Sequence, residues 1–443
     1  MKFKKTLVLI ATLSLFASIT AACGGNGNNT TNNAANQPAP SNSAAENQNT
    51  GTDQATTEEI KPEEGAELLV WESREEIAFT EQIAQQFEEK YGVKVRVEEV
   101  PVPDQIGRLT TDGPSGLGAD IIVIPSDHIG NAVTSGLILE NDIFAEQTKA
   151  RNTEASIVGA SFDGKLYGYP RAAETTALYY NKSLIPEAPK SFEELIEFGK
   201  KFTDKTKKKY ALMWESGNLY FNYPFIASNG GYLFGDNGTN KDDIGLATPE
   251  AVAGMKVFQD LKQVLPVPSG DINGDIKRGL FTAGDVAMDI NGPWELAAYK
   301  EALGDNLGLA PVPTVLGKTA ITFSGIKTYD VSSFTKYPNA AKLYADFATN
   351  KDGQLLLSEL IGSIPTNLEA LETDQIKNDP FISGFAEQAK NSEPMPSIPE
   401  MNNVWGAANA AFADIWNKDV DPKATLENAV KQITDLNNGV AAE

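Results

Sequence analysis

Hydrophobic residues follow two different periods along this chain. Short apolar or alternating runs are typical of β-strands, and apolar residues three or four positions apart are typical of helices. The first pattern predicts strands at Leu68–Trp71, Val93–Val97, Ile121–Ile124, Tyr210–Trp214 and Val286–Ile290. The second predicts helices whose inward faces carry Phe79, Ile83 and Phe87, then Leu195, Ile196 and Phe202, then Met255 and Phe258. Strands and helices that alternate in this way indicate an α/β fold.

Several helices also carry recognisable start signals. Ser191-Phe192-Glu193-Glu194 is a capping box, in which side chains bond the free N–H groups of the first turn. Thr248-Pro249 places proline at the first helical position, where its missing N–H costs nothing. Near the C-terminus, Trp405, Phe412 and Trp416 share one apolar stripe, and Trp416 is predicted to lie in the core.

Residues Tyr167–Asn181 read as one extended strand that is entered through Pro170. Strand–helix units lie on both sides of it in the sequence, so this strand is placed to cross from one set to the other. Glu174 would then lie where a cleft between two lobes is deepest. A carboxylate there costs several kcal/mol to desolvate unless donors surround it. The alternative is an ordinary buried strand with Glu174 at a solvated end.

The N-terminus has the composition of an export signal. Lys2, Lys4 and Lys5 precede an apolar run over residues 7–19. This pattern predicts a signal peptide over residues 1–22.

Cys23, the only cysteine, follows two small residues and resembles the lipid acceptor of a bacterial lipobox, although Thr20 stands where leucine is usual. It is therefore predicted to carry a lipid anchor. Residues 23–65 contain no aromatic residue and cannot bury enough apolar surface to fold, which predicts a flexible linker. The folded body is expected to begin near Ala66.

Size and charge narrow the possible functions. The 443-residue chain has 37 Lys and Arg against 60 Asp and Glu, a formal net charge of −23. Without the three signal lysines the charge is −26, from −23 − 3. This acidity argues against nucleic acid and anionic membrane surfaces as partners. The body of about 375 residues suits two lobes better than one core.

Candidate catalytic groups are few. His128 is the only histidine, and the chain has no G-x-S-x-G elbow, P-loop or G-x-G-x-x-G fingerprint. A zinc site is excluded for want of ligands. The sequence therefore predicts no enzyme activity, no cofactor and no metal.

Aromatic residues beside carboxylates stand out instead. A sugar ring has an apolar C–H face, which suits an aromatic platform, and hydroxyls, which suit carboxylate acceptors. The candidates of these two kinds, several of them in or beside predicted loops such as Asn218–Pro224, are Glu72, Asp127, Glu174, Tyr220, Phe221, Trp294 and Trp405. Core packing remains an alternative for Trp294 and Trp405. Paired carboxylates are also the machinery of glycoside hydrolases.

The body as a whole resembles the bacterial maltose/maltodextrin-binding proteins, which are the extracellular solute-binding subunits of sugar ABC importers. The resemblance rests on Asp120–Glu140, Gly168–Asn181, Tyr220–Tyr232, Ala287–Trp294 and Met395–Trp405. It implies a two-lobe periplasmic-binding-protein-like clamp, with mostly parallel sheets flanked by helices and joined by crossing hinge strands. The first lobe would comprise residues 66–173 and 328–382, and the second lobe residues 174–327 and 383–443.

The resemblance also implies which residues contact the ligand. Asp127 matches the sugar-binding aspartate of the family, and Glu174 matches its hinge-strand glutamate. The Tyr-Phe pair is matched by Tyr220 and Phe221, and the two stacking tryptophans by Trp294 and Trp405.

Five positions depart from the family pattern. Ser73-Arg74 stands near its Asp-Lys pair, and His128 stands where arginine is common. Ile124 replaces a frequent third tryptophan, and Asn218 replaces a glutamate. The aromatic platform is thus kept while the polar rim is altered. The predicted ligand-binding residues are Ser73, Arg74, Asp127, His128, Glu174, Asn218, Tyr220, Phe221, Trp294 and Trp405.

By this resemblance the protein binds maltose, maltodextrin or a close relative between its lobes and delivers it to membrane permease subunits of an ABC importer. It would act as a monomer, held by its lipid anchor on the outer face of the cell membrane, with no nucleic-acid partner. Another oligosaccharide, such as cyclodextrin, is the alternative ligand. A secreted glycoside hydrolase and a surface adhesion or chaperone lipoprotein are the alternative classes.

Overall fold

The computed structural model describes residues 60–440. The predicted signal peptide, Cys23 and residues 24–59 lie outside the described residues. Residues 60–65, assigned above to the linker, belong to the body, because Ile60 packs against its core. The Glu63 carboxylate accepts the N–H groups of Asn339 and Ala340 at 2.8 and 3.0 Å, capping a helix. The described body therefore begins at Ile60 rather than Ala66.

Among residues 60–440, all strands but one join three sheets. The strands are β1 (Glu67–Glu72), β2 (Lys94–Glu99), β3 (Ile121–Pro125), β4 (Ser161–Phe162), β5 (Lys165–Leu166), β6 (Tyr169–Thr175), β7 (Ala177–Asn181), β8 (Tyr210–Met213), β9 (Asn240–Ile244), β10 (Val286–Asn291), β11 (Leu307–Ala310), β12 (Thr322–Val331) and β13 (Ser392–Pro394).

The helices cover the faces of these sheets. They are α1 (Ile77–Tyr91), α2 (Val102–Asp112), α3 (Ile129–Thr134), α4 (Ala145–Arg151), α5 (Glu154–Gly159), α6 (Phe192–Phe202), α7 (Leu219–Ala227), α8 (Gly235–Gly238), α9 (Pro249–Asp260), α10 (Gly274–Thr282), α11 (Leu296–Leu303), α12 (Pro338–Ala348), α13 (Lys351–Ile361), α14 (Leu368–Leu371), α15 (Asp374–Lys377), α16 (Pro380–Ala389), α17 (Met401–Lys418) and α18 (Pro422–Asn437).

The predicted start signals act as expected. Ser191 Oγ accepts the N–H of Glu194 at 3.2 Å, and the Glu194 carboxylate accepts the N–H of Lys190 at 2.8 Å instead of the Ser191 N–H that a capping box would use. Thr248 Oγ1 accepts the N–H of Ala251 at 3.2 Å at the start of α9. None of the helices within residues 60–440 combines the length and apolar character that a membrane span requires.

The first sheet has the order β13-β12-β3-β1-β2, and β6 also pairs with β12. β1, β2 and β3 are parallel, while β12 runs antiparallel to β3 and β6. Because β1 and β3 are parallel neighbours, their carboxyl ends lie at the same edge. The segments that begin at Ser73 and Ser126 therefore emerge side by side.

The second sheet has the order β11-β7-β10-β8. β8 and β10 are parallel, and β7 is antiparallel to both β10 and β11. Three of the four strands thus run in one direction, and only β7, which arrives from the first sheet, runs against them.

The stretch predicted as one strand, Tyr167–Asn181, is two strands. β6 belongs to the first sheet and β7 to the second, and the buried Thr176 alone separates them. The strand breaks because the chain changes sheets there, so the predicted crossing exists but the single strand was wrong. Thr175 Oγ1 bonds the carbonyl of Phe323 at 2.7 Å, which ties this crossing to the start of β12.

Three apolar cores pack around the sheets. Along β1, Leu68 and Val70 face one core while Leu69 and Trp71 face another, as the two-residue period of a strand requires. The second sheet has a single larger core that includes Trp416. Trp416 is 1% exposed, which confirms its predicted place.

Candidate binding site

The predicted aromatic loop Asn218–Pro224 is largely a helix, so that prediction was wrong. Pro224 and the β-favouring aromatics suggested a loop, but tertiary burial overrides these local preferences. α7 is buried on nearly all sides. Asn218 precedes α7 and caps it, accepting the N–H of Tyr220 at 3.0 Å. Tyr220 therefore lies in the first turn of a fixed helix.

Tyr220 and Trp294 form one aromatic surface. Their ring centroids are 6.3 Å apart, and both side chains are half-buried. Trp294 lies on a 3₁₀ turn, Pro293–Glu295, that follows β10. A β-carbon at Gly292 would lie 2.0 Å from the Trp294 ring, so only glycine lets the indole fold back over this turn.

Phe323 joins this surface to Trp405, and sequence reasoning missed it. The ring lies 6.2 Å from Tyr220 and 6.4 Å from Trp405. It also stacks on Tyr223 at 3.7 Å with an interplanar angle of 9°. Phe323 stands in β12 of the first sheet, the second crossing strand, which the chain enters on returning from β11 of the second sheet. Its partners Tyr220 and Trp405 come from distant parts of the chain, so no local pattern marked it.

Asp127 lies in a 3₁₀ turn directly after β3 and is 3% exposed. Its Oδ2 accepts the indole N–H of Trp405 at 3.2 Å, and His128 Nε2 lies 3.5 Å from the same oxygen. Oδ1 is buried without a hydrogen-bond partner among the described residues. Burial raises the pKa of Asp127 above its usual range. The site therefore contains a carboxylate oxygen with unused acceptor capacity.

Glu174 lies in β6 opposite the other crossing strand. Lys327 Nζ, on β12, is 2.7 Å from Glu174 Oε1 and 5.9 Å from the centre of the Trp294 ring. Burial raises the pKa of Glu174, Lys327 opposes that shift, and Glu76 adds to it. Sequence reasoning missed Lys327, because only the pairing of β6 with β12 places it beside Glu174.

Lys327 begins a chain of buried ion pairs. Its Nζ donates to Glu76 at 2.7 Å, and Arg171 donates to Glu76 and Glu72 at 2.7 Å each. Burial disfavours the charged form of Glu76, but the cations Lys327 and Arg171 outweigh it and lower its pKa. Glu72, a candidate from the sequence, thus supports the site from inside the first sheet.

Electrostatics link the two sides of the site. Burial, followed by the negative charges of Glu174 and Asp127, raises the pKa of Tyr220 well above its usual value. The phenol of Tyr220 is therefore neutral, and it lies close enough to both carboxylates for their charges to act on it.

The other predicted residues have internal partners in this structure. Arg74 is 2.5 Å from Asp275 of α10, and Ser73 is buried with its N–H on the Glu72 carboxylate. Phe221 is buried, with Lys277 Nζ 4.4 Å from its ring centre. The structure thus groups Asp127, His128, Glu174, Tyr220, Trp294 and Trp405, while Ser73, Arg74, Asn218 and Phe221 contact other parts of the protein.

The grouped residues combine flat apolar faces with carboxylate acceptors. Aromatic faces suit the C–H surface of a ring, and carboxylates suit its hydroxyls. The arrangement is fitted to bind a polyhydroxylated molecule.

Residues 82–383 match the family profile described as bacterial extracellular solute-binding protein. A galactooligosaccharide-binding protein of Bacillus subtilis is 35% identical over 376 residues, 83% of this chain and 88% of its own length. A maltooligosaccharide ABC transporter solute-binding lipoprotein of Streptococcus pneumoniae is 30% identical over 98% of this chain and 97% of its own. The crystal structure of a cyclo/maltodextrin-binding protein complexed with maltotetraose has a TM-score of 0.68 and 36% identity, covering 84% of this chain and 97% of that chain.

Proposed function

This chain belongs to the bacterial extracellular solute-binding proteins, and from that membership we propose that it captures maltose- or maltodextrin-type oligosaccharides and delivers them to permease subunits of an ABC importer. The resemblance and the clamp fold expected from the sequence are confirmed by this membership and by the structural relative.

One observation carries the choice of a sugar ligand. Trp294, Tyr220 and Trp405 lie next to the carboxylates Asp127 and Glu174, although these residues are far apart in the sequence. Aromatic faces and acceptors in one place match the two kinds of surface on a pyranose.

A galactooligosaccharide is the second candidate ligand. The Bacillus subtilis relative named for that ligand is 35% identical, and the Streptococcus pneumoniae relative named for maltooligosaccharides is 30% identical. Both sugars present apolar C–H groups that can stack on an aromatic ring, so the aromatic residues by themselves do not decide between the two candidates. Cyclodextrin, which is named in the structural relative, is a further maltodextrin-type ligand.

Calorimetry with maltose, maltotetraose, α-cyclodextrin and β-1,4-galactotriose tests the ligand, with cellotetraose as a control for linkage. We expect maltotetraose to bind most tightly. Tighter binding of the galactotriose would move the assignment to the second candidate. Melting temperatures offer a parallel measurement, because a ligand at 100 times its Kd adds about 2.7 kcal/mol to the free energy of unfolding.

We expect binding without catalysis. A hydrolase would need a proton donor and a second carboxylate flanking the scissile bond. Fluorescently labelled maltotetraose incubated with the protein should remain intact by chromatography. Shortened products that disappear in a Glu174→Gln variant would support the hydrolase alternative.

We also propose that Cys23 carries the lipid that holds the protein on the outer face of the cell membrane, as a monomer. The small residues before Cys23 support this, and one relative is named a lipoprotein. In cell fractionation, Cys23→Ala should release the protein from the membrane. A variant that stays with the membrane as firmly as wild type would contradict the anchor.

Two lobes are proposed, close to the bounds expected from the sequence, 66–173 with 328–382 and 174–327 with 383–443. The sheets shift these bounds, because Ile60, Glu174, Thr175 and all of β12 belong with the first sheet, and so does β13. The separate cores of the two sheets and the crossing at Thr176 support a division into two lobes. Small-angle scattering of residues 60–443 should show a smaller radius of gyration with saturating sugar, because a ligand that prefers the closed form shifts the equilibrium towards it. An unchanged profile despite measured binding would count against the clamp motion.

A further inference from the structure

Lys327 is a buried cation beside the candidate site. Its side chain is 8% exposed, and its Nζ lies 2.7 Å from both Glu76 Oε1 and Glu174 Oε1. Glu174 is 14% exposed and is the member of this group nearest to solvent. The group is held by both crossing strands, since Glu174 lies on β6 and Lys327 on β12.

The charges in this group do not balance. Glu72, Glu76 and Glu174 carry three negative charges, and Arg171 and Lys327 carry two positive charges, so the sum is −3 + 2 = −1. Arg171 is shared by Glu72 and Glu76, which leaves Lys327 as the ion-pair partner of Glu174. A buried charge without a partner is strongly unfavourable, so Glu174 depends on Lys327 to remain ionised.

We propose that Lys327 is a positioning residue for ligand binding, which holds the Glu174 carboxylate charged and correctly placed to accept a hydrogen bond from a ligand hydroxyl. This inference rests on the proposed function. Lys327 acts on the ligand through Glu174. Because Lys327 is also paired with Glu76, the negative charge of Glu76 weakens the stabilisation that Lys327 gives to the Glu174 carboxylate.

The charged and titratable groups that face Glu174 come from four elements. They are Lys327 on β12, Glu76 before α1, Arg171 on β6 and Tyr220 on α7. Burial and Glu76 both raise the pKa of Glu174, and Lys327 is the largest influence that lowers it. Removing Lys327 therefore favours the protonated form of Glu174. In that form one carboxyl oxygen carries a hydrogen and donates, so it no longer accepts a hydrogen bond from a ligand hydroxyl.

The experiment measures maltotetraose affinity at pH 6 and pH 8 by calorimetry. Lys327→Met removes the charge while keeping most of the side-chain volume. Glu76→Gln added to Lys327→Met restores the net charge to −1, and Lys327→Arg keeps the cation. Lys342→Met is the matched control, because Lys342 is 9% exposed and ion-paired to Asp142, and neither residue is among the grouped site residues. Melting temperatures check that each variant is folded.

We expect Lys327→Met to lose about tenfold in affinity at pH 6 and less at pH 8, because the protonated form of Glu174 becomes more common as pH falls, by a factor of about ten for each pH unit. The double variant and Lys327→Arg should recover most of the affinity and weaken the pH dependence. Lys342→Met should bind as wild type does. A pH-independent loss that the double variant does not recover would overturn the proposal and indicate direct contact between Lys327 and sugar. Wild-type affinity in Lys327→Met would overturn it too.

A ligand-free measurement separates this inference from the proposed function. Protein labelled with ¹³C at glutamate carboxyls is titrated by NMR, and the Glu174 signal is assigned with Glu174→Gln. Lys327→Met should move the Glu174 midpoint upward, and the double variant should move it back. If wild type binds none of the sugars, the proposed function fails while this titration still reports on Lys327. An unmoved midpoint overturns the role of Lys327 even if sugar binds.

Discussion

The two halves of this protein, one built around the first sheet and the other around the second, bury different kinds of side chain beside the candidate site. The first sheet encloses an ion-pair chain that runs from Glu72 through Arg171 to Lys327. The second sheet packs against aromatic rings in mutual contact. This half also holds ion pairs of Lys277 with Asp289 and Glu215 and of Arg278 with Glu295, in which Glu215 and Arg278 are partly exposed. These rings are Trp214, Phe225, Phe258, Phe412 and Trp416.

At the candidate site, the first half contributes carboxylates and the second half contributes aromatic rings. Acceptors such as Glu174 are held by charges behind them, since a carboxylate can remain ionised in a buried place only with partners. The platform residues Tyr220 and Trp294 are held by packing, which fixes rigid rings through shape alone. Substitutions in the second half should therefore act through packing, and those in the first half through charge and pH.

The largest effect is expected in the aromatic core. Trp416→Ala removes contacts with Trp214 at 5.2 Å and Phe258 at 5.1 Å, and the indole bond to the Val267 carbonyl. The free energy of unfolding should fall by about 3–5 kcal/mol, as measured by urea denaturation. The affinity of the folded fraction should stay near wild type. A large affinity loss at unchanged stability would place Trp416 in the site instead.

The platform gives the next effect. Trp294→Ala should weaken maltodextrin binding by about 2 kcal/mol or more, because a desolvated aromatic face is lost. Trp294→Phe, which keeps a smaller face, should lose less, and Trp416→Ala serves as the comparison for loss of a buried tryptophan. Wild-type affinity in Trp294→Ala would contradict the assignment of the platform.

The elements could be predicted where local patterns decide them. The strand at Leu68–Trp71, the stripe of α1 and the place of Trp416 follow from apolar runs and periodicity, because each depends on neighbours in sequence. The helix α7 could not be predicted in this way. Pro224 and five aromatic or amide residues favour a loop locally, and the helix is stabilised by burial on nearly all sides and by the Asn218 cap.

Residues that act through distant pairing were also beyond the sequence. Lys327 and Phe323 look like ordinary members of a strand until β12 is paired with β6. Arg74 meets Asp275 across 201 positions, which no local pattern reports. Charge partners and contacts between distant rings are set by the tertiary fold, so both halves of the candidate site were predicted only in part.

The free energy of unfolding should depend on pH through a buried carboxyl of the first half, Asp330. Asp330 is fully buried on β12 beside the Thr328 hydroxyl, and burial raises its pKa to about 7. Between its unfolded pKa and pH 7 the folded state holds a proton that the unfolded state lacks, so stability is lost as pH rises. This loss amounts to about 2 kcal/mol between pH 5 and pH 7. Asp330→Asn cannot ionise and should lack it. Parallel stability curves for variant and wild type would contradict this.

The smallest effect concerns the contact that joins the two halves. Asp127→Asn keeps an oxygen for the Trp405 indole at 3.2 Å but can place an NH₂ group where the unpartnered Oδ1 lies. If a ligand hydroxyl donates to Oδ1, that bond is lost and affinity should fall by about 1–2 kcal/mol, chiefly through faster release. Stopped-flow dissociation measures the rate directly. Asp330→Asn is the matched control, because it makes the same chemical change at a buried carboxyl outside the grouped site. Equal release rates for wild type, Asp127→Asn and Asp330→Asn would show that Asp127 only accepts the indole N–H of Trp405 and does not contact the ligand.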